Sequence, residues 1–122
     1  MDNTKVDDII NYIAQTYDVT PEYLFRSDPE CCVFRHRYSK KWFGIIMNIS
    51  ADKVGMETDC QVDVLNVKCD PEMVAVLNTQ QGFAPAYHMN KKHWLTILLD
   101  GSVSKEQMIQ LLEISYDLTK KR

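Results

Sequence analysis

The stretch that most constrains the fold is residues 82–100, GFAPAYHMNKKHWLTILLD. It contains two runs with the period of extended chain, Phe83–His88 and His93–Leu99, joined by a short polar connection. Successive side chains of each run fall on opposite sides of a pleat. Asn90 suits a tight turn because Asn tolerates left-handed backbone, and Pro85 indicates an edge strand or a bulge because proline cannot donate to a ladder. The sequence therefore predicts a β-hairpin here.

The rest of the chain divides into amphipathic helices and alternating strands, and the full order is α-β-β-β-α-β-β-α. We expect a single domain, residues 1–122, of the α+β class: a two-layer α/β structure whose antiparallel sheet is covered on one side by helices and open on the other. Besides the hairpin above, the predicted elements are a helix capped at Asn3 or Thr4 and reaching Tyr17, strands Cys32–Tyr38, Trp42–Ile49 and Gln61–Cys69, a helix from Asp70-Pro71 to Gly82, and a helix from a capping box at Ser104 to Leu118.

Alternation along the first predicted hairpin assigns its faces. Phe34, His36 and Tyr38 fall on the side expected to be buried, and Arg35 and Arg37 project together from the opposite face. The matching apolar side of the next strand is Phe43, Ile45, Met47 and Ile49.

The segment before this hairpin is predicted to add to the core. Thr20-Pro21-Glu22 has the pattern of a short helical turn, with proline at its first position. Tyr23, Leu24 and Phe25 are then expected to close one end of the core.

The distribution of charge says more than its total. The net charge is −3, which does not favour binding to nucleic acid. Residues 1–30 carry seven acids and two bases, whereas residues 31–51 carry four bases and residues 82–99 two, neither window with any acid. Two acid-free basic segments on an acidic chain indicate local basic patches.

The pattern of cysteines and the composition of the first residues both favour a cytoplasmic location. Four cysteines occur without any C-x-x-C pair, and reduced thiols are favoured because a chain of this size builds a full core and shows no export signal. The first residues are acidic and polar, and the longest apolar run, Trp42–Met47, is far too short for a membrane helix. We expect a cytoplasmic protein without membrane association, either a monomer or a weak dimer.

Several ordered stretches resemble one known family. The run PAYHMNKKHW, followed by LLDGSV and a closing helix ending ISYDLT, is similar to the MmcQ/YjbR-like family, as are the upstream runs VFRHRYSKKWFGIIMNIS and VDVLNVKCDPEMV. The resemblance covers residues 2–119. It implies a small α/β protein with a double-wing-like shape and a role in binding DNA. It supplies no catalytic residues to carry over to this chain.

Catalytic motifs are weakly represented. The sequence has no Gly-rich phosphate loop, no G-x-S-x-G and no H-E-x-x-H. His88 and His93 would hold a metal only if their ring nitrogens converged on one ion, and hydrogen-bonding surface groups are the favoured interpretation. Cys31 or Cys32 would need an activating base to act as a nucleophile, so buried thiols are favoured. We expect a non-enzymatic binding protein with no metal or cofactor.

The two basic segments favour nucleic acid as the partner. Each mixes cations with aromatic residues on a predicted hairpin, and hairpin arms can follow a groove of duplex DNA as a wing does. The hypothesis is weak, salt-sensitive binding of double-stranded DNA, with a log–log salt slope of roughly −4 to −5. The candidate contacts are Arg35, Arg37, Lys40, Lys41, Lys91 and Lys92 to phosphates, with His88 and His93 as further polar contacts.

Two alternatives remain open at this point. Lysines are also common in turns, where their charge keeps exposed sheet edges soluble and prevents them from pairing with other strands. This interpretation applies equally to Lys40-Lys41 and Lys91-Lys92. A small sheet with Trp42 or Trp94 partly exposed could instead hold a protein partner, as a strand or a helix.

Overall fold

The structure is a computed structural model that describes residues 6–120. Its helices and strands follow the predicted order along the chain. The predicted cap at Asn3 or Thr4 lies outside the described residues. The helices are α1 (Val6–Tyr17), α2 (Pro71–Leu77) and α3 (Lys105–Lys120), with a 3₁₀ turn at Ala51–Val54, and the strands are β1 (Cys32–Arg35), β2 (Trp42–Ser50), β3 (Gln61–Lys68), β4 (Phe83–Pro85) and β5 (Trp94–Leu98). No helix in this range is long and apolar enough to cross a bilayer.

The five strands form one antiparallel sheet in the order β1-β2-β3-β5-β4. Strand β4 is an edge, which agrees with the position predicted for Pro85. Register places Lys68 opposite Trp94, and Ile45 opposite Asn66. The connection before β2 and the connection before β5 therefore leave the sheet at the same end.

All three helices pack on one face of this sheet. Their apolar stripes contribute Ile13, Val74 and Leu112 to a core with Phe34 and Leu65 from the strands. Burying each side chain of this size contributes about 1.5–3 kcal/mol. A polar contact fixes α3 to the sheet, since the hydroxyl of Ser115 donates to the Phe43 carbonyl at 2.6 Å and accepts from the Lys68 amide at 2.8 Å.

A bulge at Phe43 changes which side chains face the helices. Phe34 lies opposite Gly44 and Arg35 lies opposite Trp42, so the register passes over Phe43. Extra residues of this kind shift the alternation of a strand by one position. Phe43 consequently packs in the helix-side core, whereas Ile45, Met47 and Ile49 face the other side. The prediction that these four share one face was wrong.

The second face of the sheet is not left open, contrary to the expectation. Val33, Ile45 and Val64 are buried there in a separate apolar cluster, which Val54 and Tyr87 from connecting loops help to cover. Three connecting segments supply this cover: the segment that ends at Cys31, the 3₁₀ turn that ends at Val54, and the connection from β4 to β5. The helices cover one side, as predicted, and the loops complete the other.

Two local predictions about the first hairpin and the segment before it were wrong. Strand β1 ends at Arg35, and Tyr38 lies in the turn beyond it with 91% of its surface exposed. The backbone of Glu22 pairs with Val33 through two hydrogen bonds of 2.9 Å, where a helical turn was expected. This pairing carries Tyr23, Leu24 and Phe25 outward, and all three are exposed.

Gly82 and Gly55 both have left-handed backbone, but only at Gly82 would an added side chain also meet neighbouring atoms. Comparing alanine substitutions at the two positions therefore distinguishes backbone strain from steric clash. Gly82 has φ of 95°, and an added Cβ would lie 2.6 Å from Val103 Cγ2 and 2.9 Å from Ser102 Cβ. Gly55 has φ of 86° with no atom within 4 Å of such a Cβ. We expect Gly55→Ala to lower the free energy of unfolding by about 1–2 kcal/mol, from the backbone alone.

Gly82→Ala should lower the free energy of unfolding by about 2–5 kcal/mol, because the clash with Val103 and Ser102 adds to the same backbone strain. Urea denaturation of the two variants and the parent measures the difference. Equal losses for both would show that the Val103 side chain yields without cost.

Candidate functional site

The connection between β1 and β2 is held firmly at its base. The amide of His36 donates to the Lys41 carbonyl at 2.9 Å, and the amide of Lys40 donates to the His36 carbonyl at 3.1 Å. The buried His36 ring lies 2.8 Å from the Thr119 hydroxyl and 4.3 Å from the ring of Tyr116, centre to centre. Burial lowers the pKa of His36, which favours the neutral imidazole. The Lys40 and Lys41 side chains are exposed on this anchored turn.

The connection between β4 and β5 is longer than the predicted turn, because β4 ends at Pro85 and β5 begins at Trp94. The side-chain oxygen of Asn90 accepts from the amides of Lys92, at 2.9 Å, and His93, at 3.1 Å. The Asn90 carbonyl accepts from the Trp94 amide at 2.9 Å. These bonds fold the tip without a two-residue turn. The exposed candidates here are His88, Lys91, Lys92 and His93.

A buried polar group attaches this loop to the second face of the sheet. The Thr96 hydroxyl donates to the Asn66 side-chain oxygen at 2.5 Å and accepts from the Tyr87 amide at 3.0 Å. The Asn66 side-chain amide donates to the Tyr87 carbonyl at 3.1 Å. Asn66 and Thr96 are both fully buried, and these three hydrogen bonds pair their polar side chains with each other and with the backbone of Tyr87.

Both predicted arginine contacts are engaged with carboxylates. Arg35 donates two hydrogen bonds to Glu22, at 2.5 and 3.0 Å, and this bidentate pair holds the pKa of the Glu22 carboxyl below its usual value. Arg37 donates to Asp18 at 2.7 Å. Arg35 points away from the helix side as predicted, but Arg37 lies in the turn, where strand alternation does not apply. These acids reduce the positive charge that the first hairpin presents.

An aromatic groove lies between two of the loops on the second face. Its volume is about 440 Å³. One wall is the segment from Phe25 to Cys31, the opposite wall is Tyr87–Met89, and Trp42 with the side chains of β2 forms the floor. The Phe25 and Trp42 rings meet edge to face at 6.4 Å, and the Tyr87 and His88 rings lie 3.9 Å apart.

A smaller groove of about 280 Å³ lies on the other side of Tyr87. Lys53 and Lys91 both line it, together with Gly55 and Pro85. Lys53 was not among the predicted contacts, because it follows Asp52, the acid that ends the first acid-free basic window, and belongs to the 3₁₀ turn after β2. The structure thus adds one cation beside the second hairpin.

Three of the four cysteines, Cys31, Cys32 and Cys69, are buried, and so is one histidine, His36. All four cysteines are free, and burial raises the pKa of Cys31 and raises that of Cys32 to about 11, which disfavours the thiolate. The carbonyl of His93 accepts from the Cys69 amide at 2.9 Å. Within residues 6–120, no three His, Cys, Asp or Glu side chains are arranged to hold a metal ion.

Comparison with known proteins gives consistent matches. The YjbR family model matches residues 14–118. YyaQ of Bacillus subtilis is 35% identical over 114 residues, covering 93% of this chain and 97% of that protein. A crystal structure from Pseudomonas syringae has a TM-score of 0.93 at 39% identity, over 95% of this chain and 99% of that one. A structure from Deinococcus radiodurans has a TM-score of 0.76 at 31% identity, over 98% of this chain and 81% of that one.

The buried polar group generates a stability prediction. Asn66→Ala removes the partner of the Tyr87 carbonyl and of the Thr96 hydroxyl, so the free energy of unfolding should fall by about 2–4 kcal/mol. Amide hydrogen exchange in residues 86–93 should also become faster. The matched control is Asn48→Ala, which loses one part-buried bond to Asp63 (2.8 Å) and should cost about 0.5–1.5 kcal/mol. Equal costs, with exchange in the loop unchanged, would contradict the anchoring role.

Proposed function

This chain belongs to the YjbR family, and from that premise we propose that it is a cytoplasmic, non-enzymatic DNA-binding protein whose two hairpins act as wings. The lysines of the hairpins contact phosphates, and binding is weak and sensitive to salt. The principal contacts are Lys40, Lys41, Lys91 and Lys92, with His88 and His93 as polar contacts.

The observation that carries this proposal is the position of the two basic connections. Residues 36–41 and 86–93 leave the sheet at the same end, and neither contains an acid. Strand β3 alone separates β2 from β5, so the bases of the two connections lie about 10 Å apart. Two basic connections whose bases are this close can contact one stretch of phosphate backbone together.

The acidic start of α1 does not oppose this arrangement. Asp8 lines a small cavity with Lys105, the first residue of α3, at the end of the sheet away from the hairpins. Asp18 and Glu22 lie closer, and they are the acids that pair with Arg37 and Arg35. We assign the phosphate contacts to the four lysines because their side chains are exposed, and the two arginine–carboxylate pairs account for weak binding.

Reversing the lysines tests the proposal. Changing Lys40, Lys41, Lys91 and Lys92 to Glu should weaken binding to a mixed-sequence duplex roughly 100-fold or more at low salt, because phosphate contacts are replaced by repulsion. Fluorescence anisotropy across a salt series measures it. The parent protein should show a log–log slope of about −3.6 for four contacts, and each lysine removed should reduce the slope by about 1.

The control for charge is Lys105→Glu, which is compared with each of the four lysine reversals made singly, since each changes the net charge by the same amount. This lysine is exposed at the far end of the sheet, and a negative side chain is tolerated in the first turn of a helix. Its effect on affinity should be small. A parent protein that fails to bind DNA at low salt, or binding that survives the four reversals, would refute the proposed function.

Removing the carboxylates that pair with Arg35 and Arg37 should raise the affinity for DNA, the opposite of the effect of the lysine reversals. The double variant Asp18→Asn, Glu22→Gln removes both carboxylates, and Asn suits position 18 because its φ is 58° there. DNA affinity should rise and the salt slope should steepen by up to about 2, since Arg35 and Arg37 become available to phosphates. The same anisotropy series measures this. An unchanged slope would place both arginines outside the DNA contact.

A protein-interaction module is the second candidate, and exposed apolar surface favours it. Tyr23, Leu24 and Phe25 are consecutive and exposed, at 59%, 46% and 41% of their surface. Association through such a patch strengthens or persists as salt rises, whereas phosphate contacts weaken. A partner retained in high salt, with no measurable DNA binding in low salt, would favour this function over the first.

A further inference from the structure

We propose that the aromatic groove between Phe25 and Tyr87 is a pocket for an unstacked nucleobase. This inference rests on the proposed function and deepens it, because it names single-stranded DNA as the preferred ligand. Duplex DNA then binds through the hairpin lysines alone.

The walls of the groove have the chemistry that stacking requires. Phe25, Trp42 and Tyr87 present three aromatic side chains around a space of about 440 Å³, within the range of small-molecule pockets. Phe25 is 41% exposed, so part of its ring is available to a ligand. Every base has a flat π face, and stacking on aromatic side chains is a general mode of binding single strands.

The charges around the groove fit a nucleotide rather than a neutral apolar ligand. Trp42 directly follows Lys40 and Lys41 in the chain, and the wall Tyr87–Met89 directly precedes the tip that carries Lys91 and Lys92. Lys91 lines the smaller groove on the other side of the Tyr87 wall, so one cation lies next to the aromatic groove, where a phosphate beside an inserted base would lie. Basic side chains next to aromatic ones are the combination that binding of single strands uses.

The lining itself excludes phosphate. Among the described residues it contains Asp28 and no lysine or arginine. The carboxylate of Asp28 lies close enough to the buried Cys31 thiol to contribute to the raised pKa of that thiol. A carboxylate repels phosphate but accepts hydrogen bonds from the amino groups of bases. Thymine offers only its N3–H, which lies between two carbonyl oxygens that the carboxylate repels, so cytosine, adenine and guanine should bind better than thymine.

The groove also explains why single strands are preferred. A base within a duplex is paired and stacked, and taking it out costs a few kcal/mol. A single strand offers its bases without most of this cost. The affinity difference between the two forms of one sequence consequently measures how much the groove contributes.

The test uses Trp42 as a reporter. The chain has two tryptophans, so Trp94→Phe leaves the fluorescence of Trp42 alone. This protein is titrated with a short mixed-sequence single strand and with a hairpin duplex of the same sequence, while anisotropy on labelled DNA records total binding. The expected result is saturable quenching by the single strand, weaker quenching by the duplex, and stronger binding of oligo-dC than of oligo-dT.

Two variants at Phe25 and one at the neighbouring Tyr23 separate stacking on the Phe25 ring from apolar packing. Phe25→Leu keeps an apolar side chain without a ring, Phe25→Tyr keeps the ring, and Tyr23→Ala removes a neighbouring exposed aromatic that does not line the groove. Phe25→Leu should weaken single-strand binding by about fivefold or more and leave duplex binding unchanged. Phe25→Tyr and Tyr23→Ala should bind as the parent does. Thermal melting of each variant confirms that it is folded.

The two proposals fail differently. Equal affinity for the two DNA forms, Trp42 fluorescence unchanged on binding, or Phe25→Leu without effect would overturn the base pocket while the lysine contacts stand. Failure of both DNA forms to bind at low salt would overturn the proposed function, and the pocket with it.

Discussion

The structure depends on one sheet that buries apolar side chains on both faces while helices cover only one. Val33 and Val64 are fully buried on the loop side, as completely as Phe34 and Leu65 on the helix side. Loops are poor cover for a core, because their backbone amides and carbonyls need partners. Asn66 and Thr96 meet this need from within the sheet, where they bind both backbone groups of Tyr87. The buried pair Asn66 and Thr96 thus allows the connection from β4 to β5 to pack on the apolar cluster with its backbone groups hydrogen-bonded.

The same solution creates the candidate site. A helix packed on the second face would fill it with side chains at close spacing, whereas separate loops leave clefts between them. Tyr87 divides the surface into the aromatic groove and the smaller groove of Lys53 and Lys91. The loop that must be attached for stability therefore also carries the aromatic wall and two of the candidate lysines. Stability and the proposed binding depend on a common anchor.

Much of the fold could be predicted from local patterns in the sequence. Helix and strand order, the edge position of Pro85 and the serine cap of α3, where the Ser104 hydroxyl accepts from the Gln107 amide at 3.1 Å, all follow from short-range rules. The predictions that were wrong involve contacts between distant segments. Tyr38 was placed in a strand that ends three residues earlier, and the bulge at Phe43 puts Ile45, Met47 and Ile49 on the face opposite to the predicted one. Alternation cannot reveal this bulge, because the residues of β2 around it, Trp42–Met47, contain no polar side chain on either face.

The candidate site was predictable only in its charges. The lysines could be identified because each basic window lacks acids, whereas the pairing of Arg35 with Glu22 joins residues on separate segments. The groove was not foreseen, because Tyr23, Leu24 and Phe25 have the composition of core residues. Their exposure follows from the bridge between Glu22 and Val33, which no periodicity indicates.

The edges of the sheet bear on the choice between the two candidate functions. Unpaired edges are where a sheet accepts a strand from a partner. The outer edge of β1 already pairs with Glu22, whose side chain also holds Arg35, and the opposite edge, β4, is three residues long and ends in proline. Strand addition is thus disfavoured at both edges. Tyr23, Leu24 and Phe25 are three consecutive exposed apolar side chains, so a protein partner would compete for the segment beside the groove on which a nucleobase would stack.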